Sequence, residues 1–106
     1  MSTVPKESES GVVVTEQQTT LKDPPHFAVV LHNDDYTPMD FVVTILKRFF
    51  HRKEEEAVQI MLQVHQQGKG TAGIYHSEIA ETKVMQVHEF ARAKGFPLLC
   101  STEPLA

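Results

Sequence analysis

The residues best equipped for chemistry stand together in the run HNDDYTPMDF, His32 to Phe41. Asn33, Asp34 and Asp35 place an amide and two carboxylates side by side, between an apolar stretch and a segment of helical periodicity. Such a cluster is rich in acceptors and suits a positively charged donor. It also suits a plainer role, because carboxylates near a helix N-terminus are favoured by about 0.3–1 kcal/mol. His65 is a second polar group of interest, one residue past Val64 and four past Met61, at the border of an apolar stripe. A histidine there is usually a boundary residue with a satisfied ring. Yet an amide, a carboxylate and a neutral imidazole can together surround an ammonium group, which brings three donors. Met39, Val42, Met61 and Val64 can supply an adjoining apolar wall, since methionine adapts to varied shapes.

Other chemistries lack their signatures. The chain contains no Walker loop, no G-x-G-x-x-G and no G-x-S-x-G. Its six histidines, at 26, 32, 51, 65, 76 and 88, show no H-E-x-x-H spacing, and no cysteine pair exists for zinc. A metal site would arise only by accident of folding, and no cofactor is expected. The one cysteine, Cys100, lies in an apolar run, where a thiol packs as a small hydrophobe. It allows no internal disulfide and fits a reducing compartment. A net charge of −4 argues against nucleic acid, which needs a basic face. The N-terminus MSTVPKESES has no apolar signal core, and Val12–Val14 is too short to span a membrane. A soluble cytoplasmic protein is the expectation.

These residues need a frame to position them, and 106 residues allow one small domain. Residues 1–24 are rich in Ser, Thr, Glu and Gln, hold no aromatic residue and read as a flexible, disordered N-terminal tail. From Pro25 the pattern becomes globular. HFAVVLH (26–32) reads as a strand. Thr37 is the expected N-cap of a first helix, with Pro38 at its first position and Asp40 as a capping-box-like partner. Val42, Ile45, Leu46, Phe49 and Phe50 form its stripe. HRKEEE (51–56) breaks that stripe and starts a second helix, with Ala57, Ile60, Met61 and Val64 as its apolar positions, and glycine in QGKG ends it. TAGIYH (71–76) reads as a strand. Ser77 is the expected cap of a third helix with stripe Ala80, Val84, Val87 and Ala91, ended by Gly95. FPLLCST (96–102) reads as a last strand, with Pro97 near an end or edge. The order β-α-α-β-α-β predicts an α+β fold, a small three-stranded antiparallel sheet packed against three helices.

Two further classes stay open on the residues alone. One is a structural or factor-binding module of the ribosomal-stalk kind, which shares a small α+β plan but would not need the Asn-Asp-Asp turn. The other is an enzyme using Asp34, Asp35 and His65 as acid and base, for which no nucleophile or oxyanion site is apparent.

Four runs in order, NDDYTPMDFVV, MLQVHQQGKG, AETK (80–83) and PLLC (97–100), resemble the ClpS adaptor family of bacterial N-degron degradation. The resemblance covers residues 25–106, the expected adaptor core, and not the tail. Asp40 stands where Glu would also be familiar. It implies a non-catalytic adaptor, without cofactor, that binds proteins whose first residue is Leu, Phe, Tyr or Trp and delivers them to the ClpA unfoldase of the ClpAP protease. Asn33, Asp35 and His65 would hold the free α-amino group. Asp34, Thr37, Met39, Val42, Met61, Val64 and Leu98 would line the side-chain pocket, with Met39 gating against β-branched first residues. Glu78 and Lys83 would contact the ClpA N-terminal domain, although their residue types alone suggest a solvated helix face. The tail would engage the unfoldase during hand-off, and a monomer is expected.

Overall fold

A computed structural model of the chain describes residues 25–105. The expected tail, residues 1–24, lies outside the described residues. The elements run β1 (His26–His32), α1 (Met39–Phe50), α2 (Glu54–Gln67), β2 (Lys69–His76), α3 (Ser77–Ala93) and β3 (Leu99–Pro104). The sheet is antiparallel, with β1 in the centre between β2 and β3. The β-α-α-β-α-β order and the three-stranded sheet are those the sequence predicts.

Alternation along β1 explains how the sheet meets the helices. Val29 and Leu31, two residues apart, share one face and join the buried cluster. Val42, Ile45, Leu46 and Phe50 of α1, Ala57 and Val64 of α2, Ala72 of β2, and Ala80, Val87 and Ala91 of α3 complete that cluster with Leu98 and Cys100. α3 packs on all three strands, and α1 contacts both α2 and α3. The predicted stripes therefore describe the core. Phe49, Ile60, Met61 and Val84 are only partly buried and pack against it.

Element ends are where the structure departs from the sequence reading. Thr37 is not the N-cap of α1. Its hydroxyl donates to Asp34 Oδ2 at 2.7 Å, and Pro38 holds the cap position without any side-chain bond. The Pro38 carbonyl accepts from Phe41 and Val42 N–H instead, and Asp40 contributes only its charge to the first turn. Ser77 is likewise the first residue of α3, preceded by His76 in extended conformation, with no side-chain cap. The last strand begins at Leu99, three residues later than predicted. The reason is Arg92, whose Nη1 donates to the carbonyls of Phe96 at 2.9 Å and Leu98 at 2.8 Å. That claim diverts the segment's acceptors from a neighbouring strand, and Pro97 has no N–H to offer one.

Glycines act where the sequence placed a stop. Gly68 ends α2 in the left-handed conformation, φ 91°, and the chain turns at once into β2. At Gly70 a Cβ would lie 3.0 Å from Val64 Cγ2, so the missing side chain lets β2 approach α2 closely. β2 also carries a bulge, since the pairing passes from Val29–Gly73 to Val30–Thr71 and leaves Ala72 over. Arg52 Nε donates to the Ala72 carbonyl at 2.9 Å, which satisfies an acceptor close to the irregularity.

Ile45 is fully buried at the centre of this core. Ile45→Ala is expected to cost about 2–5 kcal/mol, read as a lower urea midpoint with unchanged slope. Met85, 59% exposed, is the control, and Met85→Ala should stay within about 0.5 kcal/mol of the parent. Equal losses at both positions would contradict this core.

Candidate functional site

Two helices and one loop enclose a cavity of about 340 Å3. α1 contributes Met39 and Val42, three residues apart and therefore on one face. α2 contributes Met61, Val64 and His65, which fall at i, i+3 and i+4. The loop between β1 and α1 closes the end with Asn33, Asp34, Asp35, Thr37 and Pro38. The residues expected to read an amino terminus and its side chain thus line one cavity, with one exception. Leu98 is not among the lining residues; it is buried in the same core cluster as Val42 and Val64. Pro38 also lines the cavity, although its sequence context marks it only as a helix start. No periodicity rule marks a helix-start proline as a cavity wall.

Asp34 builds the loop. Its Oδ1 accepts from the Tyr36 and Thr37 N–H groups, both at 2.8 Å, and its Oδ2 accepts from the Thr37 hydroxyl. Aspartate favours this arrangement because its short side chain reaches its own backbone two residues on. Burial alone would raise the pKa of the carboxyl, but these three bonds and the charge of Arg92 outweigh it and hold it below its ordinary value. The loop is stitched to α2 as well. Asn33 N–H donates to the Gly68 carbonyl at 2.9 Å, and Gly68 N–H donates to the Val64 carbonyl at 2.9 Å. Asn33 is thereby held to the end of the helix that carries His65.

This leaves a division of labour along the wall. Asp34 is half-buried and its oxygens serve the turn, whereas Asn33, Asp35 and His65 are exposed at the cavity. Those three offer an amide, a carboxylate and an imidazole to whatever enters. Val42 and Val64 are buried, Met61 is partly buried, and Met39 is 47% exposed at the mouth. The cavity can accept a multi-donor cation beside an apolar group. Its volume is at the small end for ligand pockets, about 300–1,000 Å3, which suits a single side chain.

The other singled-out residues lie elsewhere. Cys100 is buried, and burial pushes its thiol up to about 12, so it stays protonated and packs as an apolar group. Its N–H donates to His88 Nε2 at 3.0 Å. Burial first, and the charge of Arg92 second, lower the His88 pKa, which keeps that lone pair available. Lys83 is not a freely solvated residue. Its Nζ donates to the Phe49 carbonyl at 2.7 Å, at the end of α1, and lies 5.6 Å from the centre of the Tyr75 ring. Glu78 is exposed in the first turn of α3. Among the described residues, no group of three or more His, Cys, Asp and Glu is arranged to hold a metal ion. No helix among them is long and apolar enough to cross a membrane.

Comparison with known proteins meets this geometry directly. Residues 22–101 match the family model of the ATP-dependent Clp protease adaptor protein ClpS. The chain belongs to the ClpS family. The ClpS adapter of Desulfatibacillum aliphaticivorans is 52% identical over 104 residues, 98% of this chain and 99% of that protein. The ClpS adapter of Xanthomonas campestris pv. campestris is 50% identical over 97 residues, 92% of each chain. Among solved structures, Agrobacterium tumefaciens ClpS2 bound to L-phenylalaninamide superposes with a TM-score of 0.75 at 36% identity, covering 78% of this chain and all of that one. The chain is thus a ClpS adaptor for Clp protease.

The Asp34 turn is testable through its charge. A depressed folded pKa contributes stability above the unfolded value, and that stability is lost as pH falls through the folded value. Asp34→Asn should therefore be less stable than the parent at pH 7, with the gap narrowing as pH drops from 3.8 downward. Urea midpoints at pH 7, 4 and 3 measure it. A gap independent of pH would rule out the ionised carboxylate as the source.

Proposed function

We propose that this adaptor recognises proteins by their first residue and delivers them to the ClpA unfoldase of the ClpAP protease. The observation that carries this reading is one cavity that brings the acceptors of Asn33, Asp35 and His65 together with the methionine and valine side chains of α1 and α2. Asn33, Asp35 and His65 take the free α-amino group, whose three donors match three acceptors. Met39, Val42, Met61 and Val64 take the side chain, with Thr37 and Asp34 holding the loop beside it and Leu98 behind the apolar wall. The preferred first residues are Leu, Phe, Tyr and Trp. The Agrobacterium relative supports this chemistry, because L-phenylalaninamide presents a free α-amino group and a benzyl side chain on one small molecule.

Energetics suit a carrier that must release its cargo. Each charge-assisted bond contributes about 1.5–3 kcal/mol net, and burying a large apolar side chain about 1.5–3 more. Association costs at least about 4 kcal/mol of that sum. The remainder corresponds to reversible, millimolar-to-micromolar binding. Delivery is assigned to α3, with Glu78 and Lys83 toward the N-terminal domain of ClpA and the N-terminal tail engaging the unfoldase during hand-off. Since Lys83 also ties α3 to the end of α1, Glu78 is the cleaner probe of that contact.

Peptides differing only in the first residue, titrated by fluorescence anisotropy, test the recognition. Leu, Phe, Tyr and Trp should bind, and acetylating the amino end should weaken binding by about tenfold or more for each acceptor left unpaired. Equal affinity for the acetylated peptide would overturn the reading. Met39, exposed at the mouth, is positioned to crowd a branched Cβ. Met39→Ala is expected to admit peptides beginning with Ile and Val, and continued rejection of both would remove Met39 as the gate.

A further inference from the structure

The fold brings together two histidines that no sequence spacing connects. His26 opens β1 and His76 closes β2, and the two are register partners across the antiparallel pair. Their Nε2 atoms lie 3.1 Å apart, their ring centres 4.5 Å apart, and both residues are exposed. Their backbones are pinned. His26 sits on the central strand, where its carbonyl accepts from Leu105 N–H at 3.1 Å, and His76 leads directly into α3.

We propose that His26 and His76 form a two-imidazole binding site for a divalent transition-metal ion of the zinc class. The argument is geometric. With metal–nitrogen bonds of about 2.0–2.1 Å, two nitrogens 3.1 Å apart subtend about 95–100° at the ion. That angle lies between the square and tetrahedral values adopted by imidazole-binding metals. In the metal-free pair one ring donates its Nε2 proton to the other. On binding, that ring changes tautomer and carries its proton on Nδ1, so both Nε2 lone pairs turn to the ion with no change of net protonation. Exposure leaves both rings free to make this small rotation. The strand pairing fixes the Cα separation beforehand, so little backbone ordering opposes chelation. Beside the pair, an open cavity of about 360 Å3 is lined by His76, Ser77, Glu78 and Ile79. That cavity opens the His76 side of the pair to solvent, so water would fill the remaining coordination positions.

Zn2+ titrated into the untagged full chain by calorimetry tests the site, with the histidine ring nitrogens followed by NMR. One ion per chain is expected, with both Nε2 signals of His26 and His76 moving together. His26→Gln and His76→Gln should each weaken binding by about tenfold or more, since losing a ligand costs at least as much as losing its supporting shell. Both positions are exposed, so the variants should keep the parent's urea midpoint in chelator. No saturable binding by the parent would overturn the proposal. So would unchanged affinity in either variant, or perturbation confined to His32, His51, His65 or His88.

Discussion

A single carboxylate holds the loop on which the site depends. Asp34 accepts three hydrogen bonds from residues two and three places ahead of it, and so folds the chain back before α1 begins. The same turn leaves Asn33 and Asp35 flanking the cavity with their side chains exposed there. An aspartate whose oxygens were unpaired would offer the cavity one more acceptor, but no fixed place for its neighbours. In adjacent positions, two like residues have different roles because one is enclosed by its own turn and the other is not.

The second constraint is the junction at Gly68. One residue ends α2 in a left-handed conformation, accepts the Asn33 N–H and starts the path into β2. It joins the loop carrying the acceptors to the helix carrying His65. The close approach permitted at Gly70 then seats β2 against Val64, which itself lines the cavity. The amide and imidazole are therefore set by backbone geometry rather than by bonds between the side chains themselves. That leaves those side chains available to a ligand, which is the condition for recognising a charged terminus reversibly.

Much of the fold was legible because its signals are local. The run HFAVVLH announces a strand by composition, and the stripes of the three helices repeat at helical spacing. Those stripes became the buried cluster, apart from Phe49, Ile60, Met61 and Val84 at its margin. Element ends were less legible, because they are decided by competition for hydrogen bonds. Thr37 has the right chemistry for a cap, but Asp34 takes its hydroxyl. FPLL has the right composition for a strand, but Arg92 takes two of its carbonyls. Nothing in the spacing of Arg92 from either residue shows that competition.

The sequence by itself determined the element order, the amphipathic faces and the nearness of Asn33, Asp34 and Asp35 to one another, since each depends on residues a few places apart. Tertiary structure decided which distant residues meet. It brought His65 to the same cavity as that turn, kept Leu98 in the core and out of the cavity lining, tied Lys83 to the Phe49 carbonyl and set His26 beside His76. These are contacts between segments tens of residues apart, fixed by how helices dock on a sheet and in what register strands pair. No residue-level preference encodes them, because docking and register are settled only when the whole core closes.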